Sequence, residues 1–389
     1  MASGWAAECR RWWERSRWGG WLQAWRIARL VAQWAQPCAN LRRVDPRSVR
    51  LGAVQMQASA AYSVEDYVAT VTRLAQRAAA EGAQLIVFPE HASLPLWGAA
   101  AAAKELWAWA AEPAAGTAAA PVESRRGRLR VAAMAIERTY LATFRALARR
   151  LGGYLHAGNA WLPGPGNTVR SVAHLFAPDG RVVVRGDKAQ VNRDELAWGL
   201  EPGDEPAVAD SLLGRIGLLS GDDAAYWEPF RIVYLKGADI AVVAAAESEA
   251  AAAHPARDPL WARLQESPMY GVRACLTGSL FGRRLAGRTG IFGPLELSRR
   301  GDGIWQQMAD PAGEGVVVAT VDLAELQEYR RRVGIDGAFN PFLYERYLPG
   351  LYEHPGRRAS PGPRPPRRRR GRGRRRRRRT SEAPLPNAR

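Results

Sequence analysis

Cysteine is scarce. The 389 residues include only Cys9, Cys38 and Cys275, too few and too scattered for a disulfide framework or a zinc site. That scarcity suits a reducing compartment and predicts a cytoplasmic protein. No stretch approaches the roughly 18 uninterrupted apolar residues of a spanning helix. The N-terminus shows no signal-peptide pattern, because arginines and tryptophans interrupt each apolar run and no small-residue cleavage site follows. Acidic residues are nearly missing from one end. Between Pro355 and Arg389 fifteen arginines face one glutamate, so this segment carries +14 of the net +18 and leaves +4 for the rest. No aromatic residue interleaves those arginines, which removes base stacking and sequence reading from the ways they can engage nucleic acid.

What is present falls into three parts. An apolar content of 47% is that of a globular chain with a substantial core, and the length allows one large domain or two ordinary ones. Residues 1–47 form a Trp/Arg-rich leader holding seven of the chain's 15 tryptophans. A helix is predicted over Gly20 to Gln36, with Trp21, Leu22 and Trp25 on one face and Ile27, Leu30, Val31 and Trp34 continuing it obliquely until Pro37 ends it. Tryptophan beside arginine suits a helix lying on an anionic membrane, which would make the protein membrane-peripheral. The drifting apolar stripe favours the other reading, a helix packed on the body or on a dimer partner. Residues 48–354 form the body. Residues 355–389 have almost nothing to bury and are expected to be disordered. That tail is either a solvated charge run or a polyanion binder, for RNA or an anionic membrane, through phosphate neutralisation.

Within the body, Arg50 to Gln57 reads as a strand, and Ser63 with Asp66 opens a helix. Tyr67, Val71, Leu74, Ala75 and Ala78 recur along it at helical spacing, and Gly82 closes it. Ala83 to Phe88 is a buried strand ending in Pro89-Glu90, and Ala99 to Ala120 reads as a helix plus a loop. A helix marked by Tyr140, Phe144, Leu147 and Leu151 precedes a strand from Tyr154 to Ala160. Pro178-Asp179-Gly180 turns a hairpin between strands at Ser171 to Phe176 and Arg181 to Val184. Arg215 to Leu219 is a strand, Tyr226 to Lys236 a helix and Ala238 to Ala244 a strand, with further strands near Thr277 to Phe281, Thr289 to Phe292 and Gly315 to Val321. Early alternation of strand and helix, with hairpins between, predicts an α/β fold with a mixed sheet.

The run from Arg215 to Asp239 resembles the strand–elbow–helix–strand of the nitrilase, or carbon–nitrogen hydrolase, family. Its elbow has the form Cys-x-Asp-x-x-aromatic-Pro-Glu. Asp223, Tyr226 and Glu228 fall on the Asp, the aromatic and the Glu, while Gly221 stands at the nucleophile position and the cysteine is absent. Leu85 to Glu90 resembles the family's strand-Pro-Glu, and Gly186-Asp187-Lys188, followed by Pro202-Gly203-Asp204, resembles its lysine segment. The order of these motifs matches over roughly Val49 to Arg332.

The resemblance implies an α-β-β-α sandwich of two mixed sheets flanked by helices. It implies Glu90 as general base, Lys188 as oxyanion stabiliser helped by the backbone N–H after the nucleophile, and Glu195 as an assisting glutamate. No cofactor or metal is called for. Cys275 is expected on a helix that resembles the family's Arg-Ala-x-Glu-Asn, with Leu276-Thr277 replacing the Glu-Asn. Subunits of the family usually pair, and the aromatic stretch from Tyr329 to Tyr352 would serve as a dimer arm in a homo-oligomer. The family reaction is hydrolysis of a non-peptide C–N bond in an amide or nitrile. With glycine at the nucleophile position, that reaction is expected to be impaired or lost, leaving a pseudoenzyme that takes a small amide, nitrile or carboxylate. Two alternatives stand beside it. One is an active amidohydrolase using Ser220, or a water held by Glu90 and Asp223. Against Ser220, a one-residue shift along a strand turns a side chain to the opposite face, and a hydroxyl needs a stronger base than a thiol. The other alternative is a non-catalytic adaptor binding membrane or nucleic acid through the basic termini.

Overall fold

A computed structural model describes residues 23–38, 44–58, 63–98, 122–249, 259–280, 283–334 and 340–347. In chain order the first half runs α1 (23–34), β1 (Val49–Ala58), α2 (Val64–Ala80), β2 (Leu85–Val87), α3 (Pro95–Gly98), α4 (Val122–Leu151), β3 (Tyr154–Pro163), β4 (Val169–Phe176), β5 (Val182–Asp187) and α5 (Arg193–Trp198). The second half runs β6 (Ala207–Ser211), β7 (Gly214–Ser220), α6 (Gly221–Ala225), α7 (Trp227–Leu235), β8 (Ile240–Ala245), α8 (Pro259–Glu266), β9 (Tyr270–Leu280), β10 (Arg283–Leu285), β11 (Gly290–Phe292), β12 (Ile304–Gln307), β13 (Gly315–Val321), α9 (Leu323–Val333) and α10 (Pro341–Tyr347). The chain divides into two units, Met1–Arg332 and Val333–Arg389. Of the second unit, α10 presents Phe342 and Leu343 to solvent.

Two mixed sheets build the first unit. One runs β5-β4-β3-β2-β1, and β13 pairs antiparallel with β1 along Val49 to Gln55. The other runs β6-β7-β8-β9 and continues through β11 to β12. They join at one corner, where the end of β1 pairs with β9, Met56 opposite Leu276. Alternation along each strand then sorts the core. Val49, Leu51, Ala53, Leu85 and Val87 pack between the sheets against Ile216, Leu218, Ile240, Val242 and Val272. The intervening Val54, Met56, Ile86 and Phe88 pack outward under α2 and α4, against Val71, Leu74, Phe144 and Leu147. This is the α-β-β-α sandwich.

Local chemistry sets the element ends. The Ser63 side chain accepts the backbone N–H of Asp66 and starts α2, and Gly82, at φ 87°, ends the connection after it. Over the second sheet α7 lies so close that a Cβ on Gly217 would sit 2.1 Å from Val233 Cγ1.

Two expectations change. Cys275 lies on strand β9, not on a helix: β9 pairs with β8 on one side and β11 on the other, and Cys275 itself is opposite Ala245. Sheet pairing on both edges decides the state of a run that has little helical preference of its own, with Gly271, Gly278 and the β-branched Val272 and Thr277 in it. In the leader the face that packs is Ile27, Val31 and Ala35, which are buried, while Trp25 and Trp34 point out. Gln23 donates to Thr139, Arg26 pairs with Glu65, and Arg150 donates to the carbonyl of Ala35. α1 is therefore pinned to α2 and α4. The aliphatic side chains fit the groove, and the larger indoles stay at its rim. Trp21 and Leu22, the segment from Ala99 to Ala120, most of the stretch from Tyr329 to Tyr352 beyond α9 and α10, and the basic tail lie outside the described residues. Among the described residues no helix is long and apolar enough to cross a membrane.

Candidate active site

Three strand ends deliver the site. Glu90 follows β2, Lys188 is the first residue after β5, and Gly221 is the first after β7. β2 and β5 belong to one sheet and β7 to the other, so the residues meet across the sandwich at one end of it.

Backbone conformation aims each side chain. Gly158 of β3, at φ 69°, lets that strand pass against the Pro89 carbonyl, where a Cβ would sit 1.9 Å away. His91 is the one non-glycine residue at positive φ among the described residues, at 61°. This left-handed turn swings the chain away immediately after Glu90, at a cost of about 1–2 kcal/mol. Glu195 is set by a capping box at α5: the Asn192 side chain accepts the N–H of Asp194 and Glu195, and Glu195 accepts the N–H of Asn192. At the elbow, Asp223 accepts the N–H of Ser220 at 3.0 Å and of Gln190 at 2.7 Å, tying β7 to the lysine segment.

The Lys188 ammonium sits at the centre. Its Nζ lies 2.8 Å from Glu90, 2.9 Å from both Glu195 oxygens and 2.7 Å from Asp222. An ammonium has three protons, and three carboxylates take them. The side chains of Lys188, Glu90 and Glu195 are almost completely buried, whereas Asp222 is 34% exposed. Burial raises the pKa of Glu90 and Glu195, and Lys188 only partly offsets it. Burial alone would lower Lys188, but Glu90, Glu195 and Asp222 more than reverse this and hold it well above its usual range. The cluster thus carries a permanent cation among carboxyl groups that give up protons reluctantly. Asp223 is pushed up to about 7 by burial, against the pull of its two N–H donors.

Gly221 faces this cluster. A Cβ built on it would lie 3.1 Å from Glu90 Oε2, 3.6 Å from Ala245 Cα and 3.8 Å from the Ala244 oxygen. Ser220 points elsewhere: its buried hydroxyl accepts a 2.6 Å hydrogen bond from Asn159. Cys275 turns away as well, with its sulfur beneath Gly287.

Glu90, Lys188, Glu195 and Gly221, each picked from sequence, are therefore together in space. Sequence reasoning missed Asp222 and His91. His91 is buried and held neutral, its pKa lowered to about 4 chiefly by burial, with its ring edge toward Trp161 at 5.3 Å. Glu90, His91 and Glu195 bring three potential metal-ligand atoms within 4.8 Å of one another, but both carboxylates already hold the lysine, so that place is taken by the chain's own cation.

The comparisons with known proteins agree with this architecture. A crystal structure of an amidase from Nesterenkonia sp. superposes with a TM-score of 0.52 at 22% identity, over 76% of this chain and 98% of that one. In a variant of that amidase, the acetamide moiety of fluoroacetamide is attached covalently at the active-site cysteine. Nit3 of Saccharomyces cerevisiae, a member of the nitrilase superfamily, superposes with a TM-score of 0.56 at 15% identity, over 74% of this chain and 94% of that one. At such identities the likeness concerns the fold. A probable hydrolase of Bacillus subtilis, YhcX, is 26% identical over 196 residues, which is 49% of this chain but only 38% of that protein. The model of the carbon-nitrogen hydrolase family matches residues 50–331, and with that span and this sandwich the chain belongs to the carbon-nitrogen hydrolase family.

Proposed function

We propose that this chain keeps the frame of a carbon–nitrogen hydrolase without its cysteine chemistry, and that its pocket takes a small amide or carboxylate non-covalently. The observation that carries this is the placement of Gly221. It occupies the elbow facing Glu90, where the family's chemistry needs a thiol for the base to deprotonate. Ser220 offers no substitute, because its buried hydroxyl is engaged by Asn159 and not by Glu90 or another base. Asp223 serves the backbone of the elbow, each of its oxygens accepting one N–H there. Polar groups for a neutral ligand remain. Glu90 Oε2 lies beside the space over Gly221, and His91 Nδ1 has no hydrogen-bond partner among the described residues.

The test is ammonia release from acetamide, propionamide and propionitrile by the purified chain. No turnover is expected. Turnover that disappears in Glu90→Ala would overturn the proposal and support a water- or serine-dependent amidohydrolase instead.

A further inference from the structure

Asp222 is the element of this site that the missing cysteine does not explain. In the reaction this frame serves, the lysine ammonium donates to the oxygen that becomes negative in the tetrahedral intermediate. Here a carboxylate of the chain is already seated on it. Asp222 Oδ2 is 2.7 Å from Lys188 Nζ, shorter than the contacts from Glu90 and Glu195. The seat is also steadied from outside, because Asn192 Nδ2 donates to the same Asp222 oxygen at 3.0 Å. Glu90 and Glu195 are buried and built into the strand end and the capping box, so neither can leave without disturbing the fold. Asp222 alone of the three carboxylates is partly exposed and follows directly on the glycine of the elbow. It is the one that can be exchanged for a ligand.

We propose that Asp222 is an internal stand-in for a ligand oxygen: its carboxylate occupies the third proton of Lys188, and a small carboxylate or amide enters only by displacing it. The inference rests on the non-covalent reading above. It makes Asp222 a specificity-determining residue and a second obstacle to hydrolysis, independent of the glycine. An anion arriving at Lys188 in wild type meets an ammonium whose three protons are already taken by carboxylates. With Asp222 removed it meets an ammonium that has a free proton.

The experiment has two arms on the full-length chain. In the first, propionate is titrated into wild type, Asp222→Ala and Asp222→Asn by calorimetry. Removing one unit charge a few ångströms from the seat should tighten binding by about tenfold or more in Asp222→Ala, and Asp222→Asn, which loses the charge but keeps an acceptor oxygen, should fall between Ala and wild type. In the second, Gly221→Cys is compared with Gly221→Cys/Asp222→Ala by the pH dependence of thiol alkylation. Loss of the neighbouring negative charge should move the midpoint down by about one unit, a shift that a merely structural role would not produce. Equal propionate affinity in all three proteins, or an unmoved alkylation midpoint, overturns the role of Asp222. Amide turnover by wild type would instead sink the non-covalent reading, and the binding comparison would still report on Asp222.

Discussion

Gly221→Cys tests the geometry most directly. The glycine is not at positive φ, so a side chain there brings no left-handed strain. Replacing glycine also reduces the freedom of the unfolded chain, a gain of about 0.4–1 kcal/mol where the native conformation is compatible. Against this stands one tight contact, the new Cβ at 3.1 Å from Glu90 Oε2, while Ala245 Cα at 3.6 Å and the Ala244 oxygen at 3.8 Å are at ordinary distance. Overpacking a core costs about 1–3 kcal/mol. The obstacle here is the end of a side chain and not backbone, so the lower end applies. The two effects nearly cancel, and stability by urea denaturation should stay within about 1 kcal/mol of wild type. The thiol would lie against Glu90 with Asp222 nearby, and burial and negative charge should hold its pKa above the ordinary value of about 8.5. Alkylation with iodoacetamide, followed by peptide mass spectrometry, should therefore show one new site whose rate climbs on the alkaline side, read apart from the peptides that carry Cys9, the partly exposed Cys38 and buried Cys275. A loss of more than about 3 kcal/mol, as for a residue that must remain small for backbone packing, would refute the placement of an open elbow. So would a thiol that stays unlabelled in the native protein.

Three further substitutions probe the same geometry. Lys188→Met leaves three carboxylates without their cation and should cost about 3–5 kcal/mol near neutral pH, with a smaller cost at pH 4, where protonation relieves the repulsion; an equal cost at both would count against the ion cluster. Asp223→Asn should change the pH dependence of stability. Because the folded pKa of Asp223 is raised to about 7 from 3.8, its contribution is fully present below the unfolded value and is lost as pH rises toward 7. The wild-type-minus-variant stability should therefore fall by up to about 4 kcal/mol between pH 4 and 7 and then level off, and a flat difference would refute the shift. Gly217→Ala should destabilise by about 1–3 kcal/mol in denaturation, since its Cβ would collide with Val233 at 2.1 Å, whereas a neutral result would mean that α7 moves freely.

Much of the fold was legible because its signals are local. Ser63 with Asp66, Pro178 to Gly180, and the alternating strands state their structure within a few residues of themselves. The places of Glu90, Lys188, Glu195 and Gly221 were legible only through the order of motifs along the chain. Asp222 was not legible at all. Beside a glycine and another aspartate it reads as elbow filler, and its meaning arises only when the end of β7 in one sheet meets the end of β5 in the other. β12 was missed for a different reason: Ile304 to Gln307 is four residues long, and no period can be read from so few. Cys275 was misplaced because the run from Tyr270 to Leu280 carries little local preference of its own, so its state was decided by strands distant in sequence.

The capping box at α5 binds the site to the scaffold. Glu195 closes the first turn of that helix and grips Lys188 with both oxygens, so the lysine and glutamate hold up local architecture whether or not any bond is ever cleaved. A descendant of a hydrolase can discard its nucleophile for a hydrogen atom at little harm to folding, yet it cannot as easily discard the charges around it. In such a protein, surviving residues of a catalytic set are poor witnesses to surviving catalysis.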